Sequence, residues 1–132
     1  MTFIPAVLLT VAIAVVSLWE SPQVPVGFRM SDKLIHGLMY TLLAITWMIP
    51  VAHKRPSRRS PFTLHLYYII TCMSVTLYGG LLEFLQHYCT RTRSGEWADF
   101  LADFIGALVG VLLVALLRYV VVSRARNHEN DK

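Results

Sequence analysis

Four apolar stretches, at 3–19, 34–52, 62–82 and 100–122, occupy most of this 132-residue chain. Between them they hold only two of its twenty Asp, Glu, Lys and Arg residues, Asp103 and Arg118. Wound as a helix rising about 1.5 Å per residue, a stretch of that length matches the roughly 30 Å hydrocarbon core of a bilayer. Charged residues make up 15% of the chain, against about 25% in soluble domains. That shortage, and its localisation, excludes a soluble globular domain, a disordered chain and a coiled coil. The connecting segments are too short to fold alone, so no separate soluble catalytic domain is expected. The fold class read from this pattern is all-α. It is a polytopic membrane protein with four transmembrane helices in a compact bundle, at about 3–19, 34–52, 62–88 and 98–122. They form one domain over 1–123, followed by a cytoplasmic tail at 124–132.

The net charge of +4 does not mark a nucleic-acid surface, because the basic residues follow the spans. Lys54, Arg55, Arg58 and Arg59 crowd the second connection, and Arg118, Arg124, Arg126 and Lys132 close the chain. The other two connections hold Arg29, Lys33, Arg91 and Arg93. With four spans the two richer segments share one side, and the positive-inside rule places both termini in the cytoplasm. Six acids, Glu20, Asp32, Glu83, Glu96, Asp99 and Asp103, then fall on or near the outer side. The first stretch resembles the apolar part of a signal peptide, but no Lys or Arg precedes it. It is read as a retained first helix. Cys72 falls mid-span and Cys89 near the outer boundary, without metal-ligand spacing.

Three polar groups gather at the outer ends of the spans. In the second helix Asp32 and Lys33 precede His36 and Tyr40, which are four apart and share a face. Ser31 and Asp32 are good N-cap residues for that helix. In the third, Glu83, Gln86 and His87 share a face with Gly79 and Gly80. In the fourth, Asp99 and Asp103 lie over a ladder of small residues, Ala102, Gly106 and Gly110. Such ladders admit close helix contacts, and the third helix near Gly79 or Gly80 is the expected partner. Ionisable groups at membrane depth are costly and mark function or pairing. His36, Glu83 and Asp99 are expected to line one outward-facing cavity, with Asp103 one turn deeper. Arg91 or Arg93 can cover the cavity from above. Neighbouring carboxylates that retain a proton are the material of general acid–base chemistry.

Each group also has a plainer reading. Asp32 can be only a helix cap, and His36 a packed histidine. Glu83 with Arg93, or Asp99 with Lys33, can be structural salt bridges. Carboxylates at i, i+4 are a weak metal signal on their own, and neither metal nor other cofactor is expected.

These residues resemble the VanZ-like family of small bacterial membrane proteins. The resemblance covers about 31–110. It rests on DKLIHGLMY (32–40), YGGLLEFLQ (78–86), Arg93 and ADFLADFIGALVG (98–110). It carries the family's polar positions onto Asp32, Lys33, His36, Tyr40, Glu83, Gln86, Arg93 and Asp99. Where the family usually has Asn, this chain has Asp103. The resemblance implies a cell-envelope role at the outer leaflet of the cytoplasmic membrane. The family's namesake is associated with resistance to teicoplanin-type glycopeptide antibiotics.

The resulting expectation is a protein that binds or modifies an envelope lipid or lipid-linked glycan. The candidate catalytic residues are His36, Glu83 and Asp99, with His36 or Glu83 transferring a proton. The candidate substrate-binding residues are Asp32, Lys33, Tyr40, Gln86, Arg93 and Asp103, with Lys33 and Arg93 holding an anionic headgroup. The competing class is a non-catalytic accessory or structural membrane subunit. No nucleic-acid partner is expected, and the oligomeric state stays open.

Overall fold

The computed structural model of the chain describes residues 2–19, 29–52, 61–89 and 96–130. Among these residues there is no strand. Four helices follow one another: α1 (Ile4–Leu18), α2 (Arg29–Ala52), α3 (Pro61–Cys89) and α4 (Trp97–Asn130). In α2, α3 and α4, apolar segments of 21, 28 and 31 residues are long enough to cross a membrane. At 15 residues, α1 rises only about 22 Å.

Two helix ends differ from the sequence expectation. α2 begins at Arg29, so Ser31 and Asp32 lie inside the helix and do not cap it. A carboxylate in the first turn still favours the helix, since the N-terminal end of the macrodipole is positive. α4 continues to Asn130, well past 122. No Gly or Pro follows Val122 to stop it.

The helices alternate in direction, and hydrogen bonds tie them at both ends. At one end Gln86 Nε2 donates to Ser17 O at 2.8 Å, satisfying one of the carbonyls that α1 leaves unpaired in its last turn. At the other end Arg118 donates to Val51 O and Ala52 O at 3.3 and 3.0 Å. That closes the last turn of α2 in the same way. Between them, Thr10 anchors α1: its hydroxyl accepts from Trp47 Nε1 and its carbonyl from the Tyr78 hydroxyl.

The surface is the inverse of a soluble protein's. Leu34, Leu38, Leu42, Ile69, Leu77 and Leu101 are each more than half exposed, whereas His36, Glu83, Gln86, Asp99 and Asp103 are buried. An apolar exterior of that extent is at home in lipid rather than water. Trp19, Tyr88 and Trp97 are strongly exposed at the end where Gln86 meets α1. Large amphipathic rings at that level mark a membrane boundary.

The small-residue ladder of α4 packs on α2, not on α3 as expected. A Cβ on Gly106 would run into the Gly37 carbonyl, and one on Gly110 would come within 2.6 Å of Thr41 O and 2.9 Å of Ala44 Cβ. Thr41 Oγ1 reaches Gly37 O at 2.7 Å and Gly106 O at 3.0 Å, so one hydroxyl proton bridges the two helices. α2 has its own small residues, Gly37 and Ala44, at the facing positions. On α3, Gly79 and Gly80 are filled instead by larger side chains of the neighbouring helices, Asp103 with Tyr40 and Phe100.

The two facing glycines are not equivalent. A Cβ on Gly37 would meet only Ala102 O at 3.7 Å, an ordinary contact. Gly106→Ala is therefore expected to destabilise the bundle by about 1–3 kcal/mol, as overpacking does. Gly37→Ala is expected to be neutral, or to gain up to about 1 kcal/mol of helix propensity. Unfolding titrations in mixed micelles measure both. Equal losses at the two positions would refute the assigned α2–α4 contact.

Candidate functional site

The polar groups of three helices meet at the end of the bundle marked by Trp97. α2 contributes Lys33 and His36, one helical turn apart. α3 contributes Glu83, one turn beyond Gly79. α4 contributes Asp99 and Asp103, again one turn apart. The six residue steps from Trp97 to Asp103 span about 9 Å of helix rise. Asp103 is thus the deep end of the site and Asp99 its rim.

The inner part is a three-residue cluster. His36 Nδ1 lies 3.1 Å from Asp103 Oδ1, a hydrogen bond when Nδ1 carries the proton. The same nitrogen lies 3.8 Å from Glu83 Oε1. Exposure falls from 9% at His36 and 7% at Glu83 to 0% at Asp103. Gly79 makes room for this: a Cβ there would stand 2.5 Å from Asp103 Oδ2 and 2.9 Å from the Tyr40 ring. Tyr40, also buried, stacks beneath His36 with ring centroids 6.5 Å apart and planes 13° apart.

The outer part is a charge network at the rim. Lys33 Nζ pairs with Asp99 Oδ1 at 3.2 Å and with Glu96 Oε2 at 3.1 Å. The Glu96 backbone N–H donates to Glu83 Oε2 at 3.1 Å. This bond joins rim to cluster and leaves Glu83 Oε1 directed at His36. An imidazole held between two carboxylates can accept, hold and release a proton.

The structure therefore brings together Lys33, His36, Tyr40, Glu83, Asp99 and Asp103 of the expected residues. Within that group Asp103, not Asp99, touches the histidine, and Asp99 is the lysine's partner. Lys33 reaches its carboxylates rather than standing free for an anion. Gln86 donates its Nε2 N–H to the end of α1. Asp32 is exposed in the first turn of α2 and joins no part of the cluster among the described residues. Arg93 and Arg91 lie outside the described residues, as do Lys54, Arg55, Arg58 and Arg59.

Glu96 is the residue that sequence reading missed as a site member. It stands immediately before α4, where its carbonyl accepts from Asp99 N and Phe100 N. The signal was the spacing of Glu96, Asp99 and Asp103 at i, i+3 and i+7, one acidic face that begins just before α4 and continues along it.

A separate cleft of about 410 Å³ lies between α1, α2 and α3, lined among others by Phe3, Thr10, Trp47, Ile70, Val75 and Tyr78; none of the clustered polar residues lines it. Tyr78, at its edge, packs with its ring 6.5 Å from that of Tyr40, so the two tyrosines stand between the cleft and His36. Compared with the models of known protein families, with curated proteins and with solved structures, the chain matches none.

The rim yields a direct test. Lys33→Met removes the cation between Asp99 and Glu96. With the lysine a third exposed, about 1 kcal/mol of stability should be lost. Adding Asp99→Asn should return part of that loss, because the carboxylate left unpaired is removed with it. A double-mutant cycle in detergent measures the coupling. Simple additivity would show that the pair carries no interaction energy.

Proposed function

We propose that this chain is a four-span protein of the bacterial cytoplasmic membrane, with both termini in the cytoplasm, and that its polar centre faces outward. There it binds or modifies the headgroup of an envelope lipid or lipid-linked glycan. The observation that carries the reading is the convergence of His36, Glu83 and Asp103 from three different helices inside an otherwise apolar bundle. Intramembrane ionisable groups are expensive, and such groups serve function or pair with one another. The VanZ-like resemblance of residues 31–110 is the source of the cell-envelope part of this reading, with glycopeptide susceptibility as the trait to examine. Under this reading α1 crosses by drawing on the residues that flank it, or by local thinning of the bilayer, as short spans do.

His36 is the proton-transfer group in the catalytic form of this reading, with Glu83 and Asp103 orienting it. A second reading, a non-catalytic accessory subunit, has its own support. Lys33 and Gln86 are engaged within the protein, as structural residues would be.

Lipid extracts from cells producing the wild-type chain are expected to differ in lipid-linked envelope species from those of cells lacking it. Glu83→Gln should abolish the difference at unchanged membrane level. Lipid that co-purifies equally with both chains, without any change in the extracts, would favour the accessory subunit. No lipid effect and no co-purification would overturn both.

Orientation has a separate test. In a chain carrying Cys72→Ser and Cys89→Ser, an impermeant thiol reagent on intact cells should label Ser94→Cys and spare Ser57→Cys. Labelling of position 57 would reverse the bundle and close the site to the outer face.

A further inference from the structure

The inner cluster has the geometry of an ion site. Donor atoms from His36, Glu83 and Asp103 all lie within 4.8 Å of one another, with 3.1 and 3.8 Å between His36 Nδ1 and the two carboxylate oxygens. Ligands bound tetrahedrally to zinc at about 2.0–2.2 Å stand about 3.3 Å apart, a spacing these separations bracket. One imidazole and two carboxylates form a three-ligand protein set of the kind that leaves a fourth position to water or substrate.

Two further observations point to a cation. Asp103 is wholly buried, and its Oδ2 has no hydrogen-bond partner among the described residues. That oxygen lies on the α3 side of the cluster, against Gly79 and one turn from Glu83. A sealed carboxylate oxygen without a donor is costly unless a proton or a cation is supplied. The second observation is the Glu96 N–H on Glu83 Oε2. It fixes one oxygen and presents the other, as the outer hydrogen bond of a metal-bound carboxylate does. A neutral imidazole with two carboxylates carries two negative charges, which one divalent ion cancels in an apolar setting.

We propose that His36 Nδ1, Glu83 Oε1 and the Asp103 carboxylate bind a single divalent transition-metal ion, with Zn²⁺ the best fit. The imidazole nitrogen among the donors favours Zn²⁺ over Mg²⁺ and Ca²⁺, which prefer all-oxygen shells. The site deepens the headgroup reading and, for its role, rests on it: with Nδ1 on the metal, His36 serves as a ligand in place of the proton-transfer group, and the fourth position faces a headgroup oxygen. Metal binding itself is measurable without lipid.

The test uses the purified chain in detergent, stripped with EDTA and desalted. Competition with a chromophoric chelator should show one Zn²⁺ per chain, unaffected by excess Mg²⁺. Asp103→Asn and Glu83→Gln should each weaken binding at least about tenfold, while His87→Gln and Cys89→Ser leave it unchanged. X-ray absorption at the zinc edge of the wild-type protein needs no variant to fold. It should report one imidazole nitrogen with oxygens at about 2.0–2.2 Å and no sulfur. Failure of the folded chain to take up zinc one-to-one means that a proton occupies the cluster, and overturns the site. Sulfur in the first shell, or loss of uptake in Cys89→Ser, overturns it as well. Zinc uptake by a chain that neither binds nor alters lipid would leave the metal site standing and remove the headgroup reading. Lipid binding by a chain that takes up no zinc would do the reverse.

Discussion

Asp103 has no exposed surface, and the surrounding helices are arranged to make that tolerable. An ion buried in low dielectric is stable only with close partners and good geometry. Its partner comes from another helix, His36 of α2, and the same imidazole nitrogen also faces Glu83 of α3. His36 reaches the carboxylate because α2 and α4 approach closely at Gly106 and Gly110, and the carboxylate itself fits because Gly79 has no side chain. Two sets of glycines on different helices thus serve one charged group.

The site divides into parts with different character. At the rim, Lys33 with Asp99 and Glu96 forms a partly exposed network, of the kind worth little in stability but able to fix geometry. Inside, the histidine and two carboxylates are sealed and not fully matched among the described residues. The Glu96 N–H bond to Glu83 passes between the two parts. The imbalance therefore sits at the inner cluster, and chemistry, if any, belongs there.

Much of this was legible in the sequence. The apolar stretches located the three long helices, and the spacing of His36 with Tyr40, Glu83 with Gly79, and Asp99 with Asp103 marked their polar faces. Asp103 was expected one turn deeper than Asp99, where it is found. What periodicity does not carry is the identity of the facing helix. The ladder at Gly106 and Gly110 declares a close contact, but its partner depends on Gly37 and Ala44, which are unremarkable in the α2 sequence. Likewise Gln86 reads as a site residue by spacing, yet it lies within reach of an unpaired carbonyl of α1. Glu96 looked like the end of a connection, although its backbone and side chain both join the site. These are properties of three-dimensional neighbourhood, and only the assembled bundle displays them.

The closest helix pair in the molecule is not a pair of neighbours along the chain. The hydrogen bonds between α2 and α4 join residues 65 to 67 positions apart, with the whole of α3 between them. During synthesis from the N-terminus, α2 and α3 exist before the helix that completes the cluster. Until α4 enters, His36 and Glu83 lack Asp103, and the carbonyls at the end of α2 lack Arg118. The polar centre is thus the last part of the protein to be assembled, and a chain that stops before Trp97 possesses most of the apolar mass of the bundle but none of its deepest charge.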